Sequence, residues 1–146
     1  MKIVNKKALH NYHILESLEA GIKLLGSEVK SIRDGRVDLG QSYAKIIGGE
    51  AFLVNASIPL YKNSSVKNYE PTRTRKLLLH EHQIRSIIGK LSAAKITLVP
   101  VSLYEKHNLI KVQLGLAKSK REIDKRRVIK ERDHQRRIEQ ELRGKE

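Results

Sequence analysis

From Tyr12 onward, apolar side chains fall on alternate positions: Tyr12, Ile14, Leu18, Ala20, Ile22 and Leu24, with Glu16 the one exception. A period of two belongs to a half-buried strand, here a long one expected to bend near Gly21. "GSEVKSIRDG" follows. Ser27 is placed to cap a short helix whose Val29 and Ile32 point inward at i,i+3, and Gly35 to end it. The same spacing sets Lys30 and Arg33 together on another side of that helix. "SYAKIIGGEAFLV" reads as a hairpin, two β-rich runs joined by Gly48-Gly49. "NASIPLY" adds a short strand that Pro59 restricts to an edge.

"KNSSVKNYEPTRTRK" shows no periodicity, and polar loops of this length are usually functional or disordered. The stripe Ile84, Ile87, Ile88 and Leu91 then predicts a helix over about His80–Leu91. "KITLVPVSLYEKHNLIKVQLGLA" closes the body as a second hairpin. In its last strand Ile110, Val112, Leu114 and Leu116 face one way, and Lys111 and Gln113 the other. About six mostly antiparallel strands with two or three short helices give a mainly β body over residues 1–117; the lack of alternating strands and long helices disfavours a parallel sheet. A small closed antiparallel barrel of oligonucleotide-binding type removes the exposed edges of so few strands.

Beyond residue 117 the pattern dissolves. Residues 118–146 hold 12 Lys or Arg, 7 Asp or Glu, and only five Ile, Val or Leu. That stretch cannot bury enough apolar surface to offset the entropy of ordering it, so a basic tail, disordered when free, is expected. Its composition still permits helix. Glu122–Arg126, Asp133–Arg137, Glu139–Arg143 and Glu141–Lys145 are acid-to-base pairs at i,i+4, each contributing roughly 0.2–0.5 kcal/mol. Ile123, Val128, Ile129, Ile138 and Leu142 make no sustained heptad, which disfavours a coiled coil.

Charge changes the picture most. The net charge is +14, with 18 basic against 9 acidic residues before the tail. A field of that size draws polyanions, and nucleic acid is the usual one. The tail lacks the bulky apolar face of a membrane-surface helix, and no apolar run is long enough to span a bilayer. "MKIVNKKALHNYHI" has no signal-peptide pattern and the chain has no cysteine, so a cytoplasmic protein without disulfides or thiolate metal sites is expected. His80 and His82 at i,i+2 point apart on a helix, and His10 and His13 at i,i+3 lie on opposite faces of a strand; neither pair has metal-ligand spacing. No nucleophile elbow or phosphate loop is present. No cofactor, metal or catalytic residue is assigned, and a monomer is expected. "VNKK" supplies Lys6 and Lys7, and "TRTRK" supplies Arg73, Arg75 and Lys76. With five Tyr, one Phe and no Trp, and with Tyr12 and Tyr43 expected in the core, few aromatics remain to stack on a naked strand. Recognition by shape and 2′-hydroxyls favours a folded RNA.

"NKKALHNYHILESLEAGIKLLGSEVKSIRDGRV", "SYAKI…GEAFLVNASI", "PTRTRKLLL", "VPVSLY…IKVQLGLAKSK" and "DKR" occur in the order they take in one family. In these segments the chain resembles small protein B, the tmRNA-binding proteins of bacterial trans-translation. The resemblance implies a barrel that holds the tRNA-like domain of tmRNA and brings it, charged with alanine, to stalled ribosomes. It implies an RNA-binding surface that includes Glu19, Leu78 and Lys111, with Asn5 and His10 in the opening motif. Lys118, Lys120 and Arg121 match the family's basic stretch at the tail root. Asp124, Lys125 and Arg126 match the tail motif used inside the ribosome, and Arg127 and Lys130 continue it. There the tail would lie, helical, in the empty messenger path. Ile123 stands where some members carry His, which leaves a packing role in place of imidazole stacking.

The residues themselves leave alternatives open. Leu78 is equally suited to pack on an unstacked base or to sit in the core, and Asn5 to bond RNA or to cap a local turn. A general RNA-binding or ribosome-assembly protein shares the composition and fold, and a ribonuclease built from scattered His, Lys and Glu would leave no linear signature.

Overall fold

The computed structural model of the chain describes residues 1–93 and 95–143. Seven strands are paired among them: β1 (Lys2–Val4), β2 (Tyr12–Ile22), β3 (Tyr43–Ile47), β4 (Glu50–Val54), β5 (Arg75–Leu78), β6 (Ile96–Lys106) and β7 (Leu109–Ser119). Four helices accompany them: α1 (Lys6–Asn11), α2 (Gly26–Arg33), α3 (Glu81–Leu91) and α4 (Lys120–Arg143). Every strand pair is antiparallel. The pairing order β1-β6-β3-β4-β5-β2-β7 returns on itself, because β7 also pairs with β6.

The Gly48-Gly49 hairpin forms as the sequence predicts, with both glycines at positive φ (58° and 77°), as a two-residue turn of this type requires. β6 and β7 make the second hairpin and bury Ile110, Val112, Leu114 and Leu116 on one face. That face meets Ala20, Leu53, Leu77 and Leu98 in the main core.

The long strand departs from simple alternation. Ile14 pairs with Ala117 but Glu16 pairs with Leu116, so Leu15 is an extra, bulged residue. The bulge turns Tyr12 and Ile14 to the other side of the sheet, where they pack with Ala8, Val99 and Ala117 in a small second cluster. Glu16 marks this break in the pattern, and it ion-pairs with Lys90 at 2.7 Å.

Several expected placements are corrected. Tyr43 is exposed rather than in the core, and Ile88 is exposed because α3 seats on the body through Ile84 and Ile87. Ser27 does not cap α2. Its hydroxyl is buried without a hydrogen-bond partner, while the Glu28 carboxylate accepts the Leu25 N–H at 2.8 Å. "NASIPLY" contributes one bridge, Asp38 to Ser57, instead of a strand. β1, α1 and β5 were not foreseen, being too short to show a period.

The tail, expected to be mobile in the free chain, is described as the single helix α4. Its side chains from Lys130 to Gln140 are all exposed. Those of Asp124, Lys125, Arg126 and Arg127, the expected ribosome motif, lie outside the described residues. No helix among the described residues is long and apolar enough to cross a membrane.

Candidate nucleic-acid interface

Three residues distant in sequence meet on one face. Glu19 sits on the outward side of β2, opposite Gln113, and Lys111 lies on β7 opposite Gly21. Leu78 ends β5 and also pairs with Gly21. Strand alternation explains the outward directions: Arg75 and Leu77 are buried, whereas Lys76 and Leu78 are exposed. Leu78 is 52% exposed, while its neighbours Leu77 and Leu79 turn toward the core. Together with Leu18, His80 and Gln83, these side chains line a cleft of about 630 Å³.

Glu19 is held as an acceptor. The Tyr104 hydroxyl donates to its carboxylate, and Lys106 Nζ lies 3.4 Å from Oε1. The hydrogen bond from Tyr104 keeps the Glu19 carboxyl below its usual range, with Lys106 and Lys111 adding to it. Burial and the Glu19 carboxylate push the Tyr104 phenol up to about 12. An ionised, oriented carboxylate cannot bind phosphate, but it can accept from a base amino group or a 2′-hydroxyl.

A second group gathers at the root of α4. His10, Asn11, Tyr12, Ser119, Lys120 and Arg121 line a cleft of about 540 Å³. Lys120 Nζ donates to the Leu9 carbonyl at 3.0 Å, and Lys118, half-buried, pairs with His13 and Ile96 in the sheet. Lys6 is exposed on α1 nearby. Asn5 is not available to RNA. It is 4% exposed; its Oδ1 accepts from Ala8 N at 3.1 Å, and its Nδ2 donates to Leu39 O and Pro100 O at 3.2 and 2.8 Å. It is the cap of α1 and the tie between that helix and β6.

The remaining basic candidates divide by what holds them. Lys30 is exposed with Nζ 5.6 Å from the Tyr61 ring centroid. Arg33 pairs with Glu105 at 2.6 Å and Lys76 with Glu50 at 3.1 Å, both near the surface. Arg75, expected as an RNA contact, is corrected: it is wholly buried. Its guanidinium reaches Glu28 at 2.6 Å, Ala56 O at 2.6 Å, Pro71 O at 2.8 Å and the Tyr69 hydroxyl at 3.1 Å. Arg73, half-buried, also donates to Glu28. Burial works to raise the Glu28 carboxyl, but hydrogen bonds from Arg73, Leu25 and Arg75 outweigh it and hold the group below its ordinary value.

This network was missing from the sequence reading. It joins the "GSEVKSIR" and "PTRTRK" segments, the two most distinctive motifs of the chain, through one carboxylate. The available signal was the lone acid within GSEVKSIR, facing a repeated Arg across the loop.

A family model described as "SmpB protein" matches residues 2–144. The chain belongs to the SmpB family. Its relatives within that family include an SsrA-binding protein of Corynebacterium diphtheriae, 50% identical over 94% of this chain and 85% of that protein. The SsrA-binding protein of Carboxydothermus hydrogenoformans is also 50% identical, over 97% of this chain and 95% of its own. A solved structure described as "tmRNA-SmpB: a journey to the center of the bacterial ribosome" contains a chain 46% identical to this one. The two superpose with a TM-score of 0.68 over 80% of this chain and 82% of that one. SmpB membership accounts for the spread of the recognised motifs over almost the whole sequence.

Proposed function

We propose that this SmpB-family chain binds the tRNA-like domain of tmRNA and delivers it to stalled ribosomes in trans-translation. In this reading the returning ring of strand pairs is a small barrel of oligonucleotide-binding type, acting as a monomer in the cytoplasm, with no catalytic step. The observation that carries it is the convergence of Glu19, Leu78 and Lys111 on one outward cleft of a chain with net charge +14. Lys111 supplies the phosphate contact, Glu19 an acceptor for base or ribose donors, and Leu78 an apolar surface for an unstacked base. Lys118, Lys120, Arg121 and His10 extend the contact toward the tail, which carries Asp124, Lys125, Arg126, Arg127 and Lys130 into the vacant messenger path of the ribosome.

Phosphate attraction alone gives affinity without choice, and it falls steeply with salt. Competition at raised salt therefore tests the reading. A transcript of the tRNA-like domain should displace a bound labelled copy of itself at least tenfold better than an unrelated RNA of equal length. Equal displacement by both RNAs would instead describe a general RNA-binding or ribosome-assembly protein.

A further inference from the structure

β3 and β6 pair at a single position, Ala44 with Leu98, whereas β3 pairs with β4 along its whole length. The Gly48-Gly49 turn decides which backbone groups this leaves over. Residues flanking a two-residue turn exchange hydrogen bonds with one another, so Ile47 and, two residues back, Lys45 aim their backbone groups at β4. Ala44 and Ile46 aim theirs the other way. The next pair along the β3–β6 ladder would join Ile46 to Ile96, and it is not made. In its place lies a groove of about 540 Å³ that both isoleucines line. β3 thus keeps an open edge, with Ile46 N–H and C=O directed into the groove.

The groove is apolar beneath and basic beside. Ile46, Leu91 and Ile96 pack against the main core, and Ile88, 47% exposed, adds apolar surface from α3. Gly48 and Gly49 line it without side chains, which leaves the edge uncovered at the hairpin end. Lys45 is the charged residue of the lining, and Lys118 stands directly opposite Ile96 on the same face of the sheet. Glu50, the acid nearest in sequence, is paired with Lys76 of β5 at 3.1 Å. The lining has no residue in common with the Glu19–Lys111 cleft.

We propose that this edge docks a partner protein, which adds an extended segment of alternating apolar and acidic residues to β3. A segment laid beside an edge strand at about 4.8 Å exchanges backbone hydrogen bonds with it and drops alternate side chains to one face. Ile46 supplies the first of those bonds, Ile88, Leu91 and Ile96 receive the apolar side chains, and Lys45 meets the acids. Charge chooses among the occupants. A second copy pairing edge to edge would bring two Lys45 together, and an edge lysine is a common guard against such self-pairing. The tail, with 12 basic residues against 7 acidic, is repelled by the same lysines. RNA would meet one lysine above an aliphatic surface, with no aromatic ring in the lining to stack on. Because the two clefts are separate, the partner is held while RNA occupies the other.

The test uses the full-length protein and, as probe, a labelled synthetic octapeptide of alternating valine and glutamate. Two control probes carry either N-methyl groups on every residue, which remove the backbone donors, or lysine in place of glutamate. The parent should bind the first probe about tenfold more tightly than either control, and the Ile46 amide should exchange more slowly in the complex. Lys45→Glu should reverse the preference between the glutamate and lysine probes. Ile88→Ser should weaken binding severalfold while keeping the urea midpoint of the parent, since Ile88 is exposed. A saturating transcript of the tRNA-like domain should leave the affinity for the probe unchanged. Equal binding of the glutamate and N-methylated probes, or no binding of either, would overturn the docking site. Displacement of the probe by the transcript or by a peptide of residues 120–143 would overturn it too, giving the groove to RNA or to the tail. A parent that sediments as a dimer with the Ile46 amide already protected would give it to a second copy.

Discussion

Glu28 holds together a loop that otherwise has little to keep it in place. Between Val54 and Arg75 the chain has no strand in the sheet; Tyr69, Arg73 and Arg75 all reach this one carboxylate. Breaking a buried ion pair from one side leaves its partner charged and unpaired, which typically costs 3–5 kcal/mol. Glu28→Gln should therefore lose about that much stability in urea unfolding at neutral pH. Because the folded Glu28 carboxyl lies below its ordinary value of 4.5, its contribution is complete above that value and is lost as pH falls through the folded one. The gap in urea midpoint between parent and variant should accordingly begin to narrow only as pH falls below 4.5, and close once the folded carboxyl is protonated. Lys111 was legible in the sequence because neighbours of clear period two fix its direction. Arg75 was not. Its strand is four residues long, and an inward-facing charge runs against the pattern by which strands are recognised.

At the scale of elements, irregularities shape the surface as much as the regular ladders do. β2 bulges at Leu15, and β6 carries a second irregularity, since Pro100 pairs with Leu114 but Ser102 with Gln113. Gly115 lies between the two breaks, paired to Ser17 and to Val99. A Cβ there would stand 2.9 Å from Val101 Cγ2 and 3.1 Å from Ile14 Cγ2. Gly115→Ala should cost about 1–3 kcal/mol as overpacking, read as a lowered urea midpoint with an unchanged denaturant slope. Both hairpins were visible in the sequence from turn glycines and alternation. The bulge showed itself only as Glu16 out of phase, and a single polar residue in a strand has too many causes to name this one. α1 was hidden for another reason: its stability comes from Asn5 and from Ala8 packing against Val99 and Ala117, contacts made across the fold.

For the whole molecule, composition separates a basic stretch after residue 117 from the periodic body before it, although β7 runs on to Ser119. The body holds every residue of the main core and the Glu19–Lys111 cleft. α4, at 24 residues, spans about 36 Å with exposed charge along its described length. Removing residues 118–146 should leave much of the affinity for the tRNA-like domain and abolish tagging of stalled chains. Measuring both on the same truncated protein checks the assignment of RNA grip to the body and ribosome sensing to the tail; normal tagging by the truncated form would refute it. Which RNA atoms are touched was never legible, since a linear sequence fixes a side chain's direction but not the contour of its partner.

β7 ends at Ser119 and α4 begins at Lys120, with no spacer between them. The arm is thus mounted directly on the beam that carries Lys111, about 26 Å upstream. Any swing of the arm has to be taken up by the torsions of those two junction residues or be passed along the beam as leverage.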